Sequence, residues 1–130
     1  MLDTNICIYI VKHRPPGVKA RFERFKPGQL VISIVTFGEL WYGAQKSSEA
    51  ARAAALLGSF VRDIPVEPLD AAAGRAYGEI RARLEKQGRP IGNNDLWIAA
   101  HALALGVTLA TNNEREFKRV PGLSVENWAA

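Results

Sequence analysis

Short apolar, β-branched runs at Leu30–Ile34, Ile64–Val66 and Val107–Ala110 alternate along this chain with longer segments of helical spacing. That alternation leaves few folds open. Strands separated by helices pair in parallel, because only a crossover connection returns the chain to the same edge of a sheet. The spacing predicts helices over Ile6–Lys12, Pro16–Phe25, Val35–Lys46, Glu49–Val61, Ala71–Gln87 and Leu96–Leu105, with Gly88, Gly106 and the Pro15-Pro16 and Pro27-Gly28 pairs as stops. Leu123–Val125 adds a short edge strand. The expected fold is α/β, a three-layer α/β/α sandwich on a mostly parallel central sheet. Residues 1–130 contain no repeat or linker and read as a single domain, a size that buries a core without disulfides or metal staples.

In such a sheet, every strand that feeds a helix directly ends on one edge, and the helix N-termini gather there into the usual ligand crevice. Asp3 follows the first apolar residues and precedes the Ile6 helix. Glu39 lies one turn into the helix after LVISI, and Asp95 opens the helix LWIAAHALAL. Thr111-Asn112-Asn113 follows the strand VTLA. Three carboxylates and a polar triplet, scattered in sequence, therefore converge in space.

Each acid also has a plain structural reading. Asp3, Thr4 or Asn5 serves as a helix N-cap, Asp95 complements a helix dipole, and Thr36-Phe37-Gly38-Glu39 fits a capping box. Against the last, Glu39 is the only charge between Leu30 and Gln45. A carboxylate expected to be buried there is costly unless a cation meets it, and no basic residue lies in that run. Clustered carboxylates repel one another and push one of their number to hold a proton. A hard divalent cation such as Mg2+ or Mn2+ relieves both costs and polarises phosphoryl oxygens.

The 17 Lys and Arg exceed the 13 Asp and Glu, giving a net charge of +4. That balance favours a polyanionic partner only weakly by itself. Cys7 sits among Ile6, Ile8 and Tyr9 and reads as a small buried hydrophobe. The uncharged stretch Leu96–Asn113 is too short in its apolar part to span a membrane. No cleavable signal precedes the start, so a cytoplasmic protein is expected. His101 reads as a packing residue, His13 as exposed, and Trp41, Trp97 and Trp128 as core or interface side chains.

The segments LDTN, SIVTFGELWYGA, GRPIGNNDLWIAAHALALG and TLATNNEREFKRVPGLSVENW together resemble a PIN-domain ribonuclease, and most closely the VapC toxins of bacterial toxin-antitoxin pairs. The resemblance implies a PIN-like sandwich whose acidic pocket binds Mg2+ or Mn2+ and hydrolyses RNA. It assigns Asp3, Glu39 and Asp95 as metal ligands and catalytic acids, with Thr4 and Asn5 in support. Asn113 stands where many PIN domains carry a fourth acid, and Glu116, one helical turn on, is the reserve ligand. Arg89 and Arg115 flank motif segments and are candidate RNA contacts. Trp41 and Tyr42 are candidate anchors for an antitoxin carrying a DNA-binding half. The same likeness suggests tRNA, initiator tRNA in particular, as substrate, and a homodimer within a larger toxin-antitoxin complex.

Two rivals remain at this point. A phosphatase also opens with a strand ending in Asp, although Asn5 occupies the place of the second acid in an Asp-x-Asp motif. Alternatively, lack of the fourth acid leaves a catalytically impaired PIN-like binding module.

Overall fold

The structure is a computed structural model, and it describes residues 1–129. Seven helices and four short strands follow one another along the chain: α1 Thr4–Lys12, α2 Pro16–Phe22, β1 Ile32–Ser33, α3 Ile34–Gln45, α4 Ala50–Arg62, β2 Val66–Glu67, α5 Ala71–Lys86, α6 Asn93–Leu105, β3 Leu109–Thr111, α7 Glu114–Phe117 and β4 Val125–Asn127. Both strand ladders are parallel. Ile32 lies opposite Val66 in β1–β2, and Leu109, Ala110 and Thr111 lie opposite Val125, Glu126 and Asn127 in β3–β4.

Residues 1–3 join the two ladders. Leu2 N donates to Val31 O at 3.0 Å on one side, while Asp3 N donates to Ala110 O at 3.0 Å and Ala110 N to Met1 O at 2.8 Å on the other. Leu2 and Ala110 form a parallel bridge. The first residues thus sit centrally, with β1 and β2 to one side and β3 and β4 to the other.

Side chains alternate across this sheet as strand geometry demands. Met1 and Leu109 enter a core with Ile80, Leu84, Leu96, Ile98 and Phe117, beneath α5 and α6. Leu2 and Ala110 enter a second core with Ile6, Cys7, Ile10, Ile32 and Trp128, beneath α1 and α2. A core on each face makes the three layers. Helix α6 buries Leu96, Ile98, Ala99, Ala100, His101 and Ala102, apolar around most of its circumference as a central helix must be. It ends on Gly106, whose φ of 69° suits glycine and terminates the helix as expected.

The first three strands are shorter than the sequence pattern predicts, and α1, α3 and α6 start earlier, while α2 and α5 start where expected and α4 one residue later. Ser33 caps α3 by accepting from Val35 N at 3.1 Å, so the β-branched pair Ile34-Val35 turns into helix instead of extending the strand. Helix α1 begins at Thr4 because Asp3 Oδ1 accepts from Ile6 N at 2.9 Å. Helix α6 begins at Asn93 behind Gly92, placing Asp95 as its third residue. No helix among the described residues is long and apolar enough to cross a membrane.

His101 is buried, with Nδ1 2.8 Å from Ser33 Oγ. Ser33 Oγ already accepts from Val35 N, so its hydroxyl proton is available to a neutral imidazole, and burial holds the His101 pKa down. This is a packing histidine that ties α6 to the end of β1. Cys7 is fully enclosed and burial pushes its thiol pKa well up, which keeps it protonated and inert.

Leu2 is fully buried between the two ladders. Leu2→Ala is expected to cost about 2–5 kcal/mol of stability through lost burial and a residual cavity, read from the urea midpoint of the metal-free protein.

Candidate active site

Four elements meet at the edge where the chain leaves the sheet for its helices. Asp3 ends the first extended segment, Glu39 projects from α3, Asp95 from the first turn of α6, and Glu116 from α7. Asp3 is buried, whereas Glu39, Asp95 and Glu116 are half-buried. Glu39 is thus more open than its apolar neighbours in sequence suggest. It lies in the second turn of α3, so the capping box with Thr36 does not form.

Neutral donors hold these carboxylates. Asp3 Oδ1 caps α1, and Asp3 Oδ2 accepts from the Thr111 hydroxyl at the end of β3. Thr4 Oγ1 donates to Glu39 Oε1 at 2.6 Å, and Asn94 Nδ2 reaches Glu39 Oε2 at 3.4 Å. Glu116 accepts from Gly92 N at 3.0 Å and from Asn113 Nδ2 at 2.6 Å. Asn113 therefore serves Glu116 as a hydrogen-bond donor, and Glu116 brings the fourth negative charge to the cluster. Asn5 is exposed.

The charges feel one another. Burial pushes the Asp95 carboxyl up to about 6, and Glu116, Asp3 and Glu39 add to the rise in that order. Burial likewise raises Asp3, opposed by its bonds from Thr111 and Ile6 N and reinforced by Glu39. None of the four acids takes part in the ion pairs found among the described residues. Such a set of uncompensated oxygen donors suits Mg2+ or Mn2+ in type. Among the described residues, however, no three acidic, histidine or cysteine side chains stand converged on one point. The fit lies in donor chemistry and charge. A hard ion that keeps several of its waters needs only one or two direct carboxylate contacts, which this arrangement permits.

The other candidates fall in different places. Arg89 and Arg115 are exposed, without a contact to the carboxylates. Trp41 and Tyr42 are exposed at 43% and 66%, Trp41 stacking on Phe37 with centroids 6.1 Å apart. An apolar groove of 380 Å³ does reach the site, for Glu39 forms part of its wall, but Ile8, Val11, Leu40, Leu56 and Leu57 line it while Trp41 and Tyr42 do not. Sequence reasoning placed Thr111 in the polar triplet at this edge without giving it a role. Its contact with Asp3 follows from β3 running beside residues 1–3 in register, a pairing that no local pattern announces.

The PIN domain family matches residues 1–123. The chain is 49% identical over 129 residues to the tRNA(fMet)-specific endonuclease VapC of Shigella flexneri, covering 99% of this chain and 97% of that one. It is 43% identical over 128 residues to ribonuclease VapC2 of Haemophilus influenzae, covering 98% and 96%. Among solved structures, VapBC2 from Rickettsia felis bound to a DNA fragment from its promoter superposes with a TM-score of 0.91 at 40% identity, covering 98% of this chain and 97% of that one.

The raised Asp95 carboxyl makes stability depend on pH. Below its ordinary value of 3.8 the folded and unfolded chains are both protonated there, and between 3.8 and about 6 only the folded chain keeps the proton. This contribution is therefore complete at low pH and is lost as pH rises through about 6. Asp95→Asn is expected to flatten that slope in metal-free urea titrations and to raise stability at pH 7.5 by ~1–2 kcal/mol.

Proposed function

Since the chain belongs to the PIN-domain family and, within it, to the VapC ribonucleases, we propose that it is a metal-dependent endoribonuclease toxin, restrained by a cognate antitoxin. The observation that carries this reading is the group of four carboxylates from four elements, held by neutral donors with no basic side chain paired to them, in which burial and then the neighbouring charges raise the pKa of Asp3 and Asp95. A protein has little use for such repulsion unless a cation enters. The resemblance to tRNA(fMet)-specific endonucleases, at 49% identity over nearly the whole chain, supports initiator tRNA as the substrate. The net charge of +4, carried despite this acidic pocket, suits an RNA surface.

Asp3, Glu39, Asp95 and Glu116 are the residues that would hold Mg2+ or Mn2+, through one or two direct contacts and bound waters, and the ion would supply Lewis-acid polarisation of a phosphoryl oxygen and a more acidic water. The side chains then have distinct tasks. Thr111 and the α1 amide fix the direction of Asp3, Thr4 fixes Glu39, and Asn113 fixes Glu116. Asp95, whose carboxyl burial and its neighbours push up to about 6 in the metal-free chain, is the acid whose ionised form a bound cation would favour most. The reaction is hydrolysis: water oxygen bonds to phosphorus, one P–O bond to the neighbouring nucleotide breaks, and the leaving oxygen is protonated.

Inhibition fits the apolar groove. A disordered antitoxin segment that orders on binding can bury apolar side chains against Ile8, Val11, Leu40, Leu56 and Leu57 and carry an Arg or Lys to Glu39, where the groove and the acidic pocket share a wall. The likeness to VapBC complexes supports such a partner. In the same reading the toxin is a homodimer within a larger assembly, where the exposed Trp41 and Tyr42 are free to serve as contacts.

Removing Mg2+ and Mn2+ with EDTA is expected to abolish cleavage of initiator tRNA, and adding either back to restore it. Asp95→Asn is expected to lower the rate by at least about 100-fold while circular dichroism stays native. An Asp95→Asn protein that cleaves RNA as the parent does removes Asp95 from the mechanism. Glu116→Gln should cost more activity than Asn113→Ala, because the first deletes a charge and the second only its orientation.

A further inference from the structure

Beside the acidic pocket, across Asn93, lies a second recess of 230 Å³ whose walls include Arg81, Glu85, Pro90, Ile91, Asn93 and Leu96. Asn93 belongs to both, for the acidic pocket is walled by Glu39, Gly92, Asn93, Asn94 and Asp95. The recess differs in charge from its neighbour. Arg81 forms part of its wall and Arg119 Nη1 donates to Pro90 O at 3.0 Å, so two arginines border it. Glu85 is the only carboxylate in the wall, and it is taken by Arg81 Nε at 3.0 Å.

Arg81 is held in a defined pose. Besides Glu85, its NH1 donates to the Tyr77 hydroxyl at 2.9 Å, and that hydroxyl donates to Asn93 Oδ1 at 2.5 Å. The Tyr77 ring is fixed in turn by stacking on Trp97 with centroids 3.8 Å apart. This chain determines which groups remain free. A guanidinium has five N–H donors, of which two are spent here, leaving three. The Asn93 carbonyl is occupied by Tyr77, so its NH2 is the end left to the recess and the pocket it borders. Donors without an acceptor, fixed in advance beside a site that the proposed reaction requires to hold a phosphodiester, suit a second phosphate of the same strand.

We propose that this recess is the subsite for a backbone phosphate of the RNA flanking the cleaved bond, held by Arg81 and the Asn93 amide with Arg119 at its border. The inference rests on the ribonuclease reading above and specifies where its substrate lies. The strand crosses from the carboxylates over Asn93 towards α5, away from the apolar groove, so RNA and antitoxin approach the site from different sides. Phosphate contact carries no base sequence, and this subsite sets register and affinity rather than the identity of the RNA.

The test uses the isolated chain with divalent ions chelated, so that binding is read without turnover, and fluorescein-labelled initiator tRNA as probe. Arg81→Gln, which keeps a side chain able to reach Tyr77 and removes the charge, is expected to weaken binding roughly tenfold and to flatten the dependence of log affinity on log salt by about one unit. Arg81→Lys should recover most of the affinity. Asn93→Ala should weaken binding by a smaller factor, and Arg52→Gln, which removes a charge paired with Glu49 at the start of α4, should leave it unchanged. With Mg2+ restored, Arg81→Gln should raise KM while kcat at saturation stays near that of the parent. Thermal melts of each variant distinguish lost contact from lost fold. If the parent binds and cleaves RNA while Arg81→Gln and Asn93→Ala, both folded, bind it with unchanged affinity and salt slope, the subsite is wrong. A parent that neither binds nor cleaves RNA overturns instead the ribonuclease reading beneath it.

Discussion

The insertion of residues 1–3 between Val31 and Ala110 is the interaction on which the remainder depends. Without it the β1–β2 and β3–β4 ladders are separate two-stranded fragments, too small to hold the helices. With it, the two apolar cores acquire a shared wall, since Met1 faces one and Leu2 the other. The next residue is Asp3, so the contact that closes the sheet also delivers the first carboxylate of the site. Fold and site are joined at adjacent peptide units.

That placement brings a conflict which the rest of the edge contains without removing. Four acids gather, and the Asp95 carboxyl is driven to about 6. Hydroxyl, amide and backbone donors supplied by Thr111, Thr4, Asn94, Asn113 and Gly92 satisfy part of each carboxylate's hydrogen-bonding capacity. None of these donors brings a full positive charge. Neutral donors orient carboxylates while leaving their charge available, whereas a lysine or arginine in the same place would have quenched it. The basic residues stand instead outside the acidic pocket, around the recess beyond Asn93.

Much of the architecture is legible in the chain because strand and helix periodicities alternate clearly and the acids fall at the junctions. Helix starts were misplaced where a short polar side chain overrode an apolar run. Ser33 ends the strand one residue before Ile34, where the sequence pattern ends it, and Asp3 draws α1 back to Thr4. Asp3, Glu39 and Asp95 emerge as a group from sequence alone. Asn113 reads in sequence as the position closing the set with Glu116 in reserve; Glu116 brings the negative charge, and one turn of α7 carries that side chain back to the Asn113 amide. Glu39 was expected to be buried from its apolar neighbours; α3 is amphipathic enough to leave it half-open against Thr4 and Asn94. Arg81 had no sequence signal, because its position beside the pocket depends on α5 packing against α6.

Asp3 differs from its companions in freedom. Its short side chain turns about two bonds, and both oxygens are engaged, one by the first turn of α1 and one by Thr111. Glu39 and Glu116 each turn about three bonds from helices on opposite sides of the pocket, and one of the donors on Glu39 sits at a long 3.4 Å. The pocket therefore has a stationary corner and two adjustable arms. A cavity made entirely of stationary corners discriminates sharply by ionic radius. One with adjustable arms would close around ions of slightly different size at little cost, so the proposed site would accept Mg2+ and Mn2+ alike.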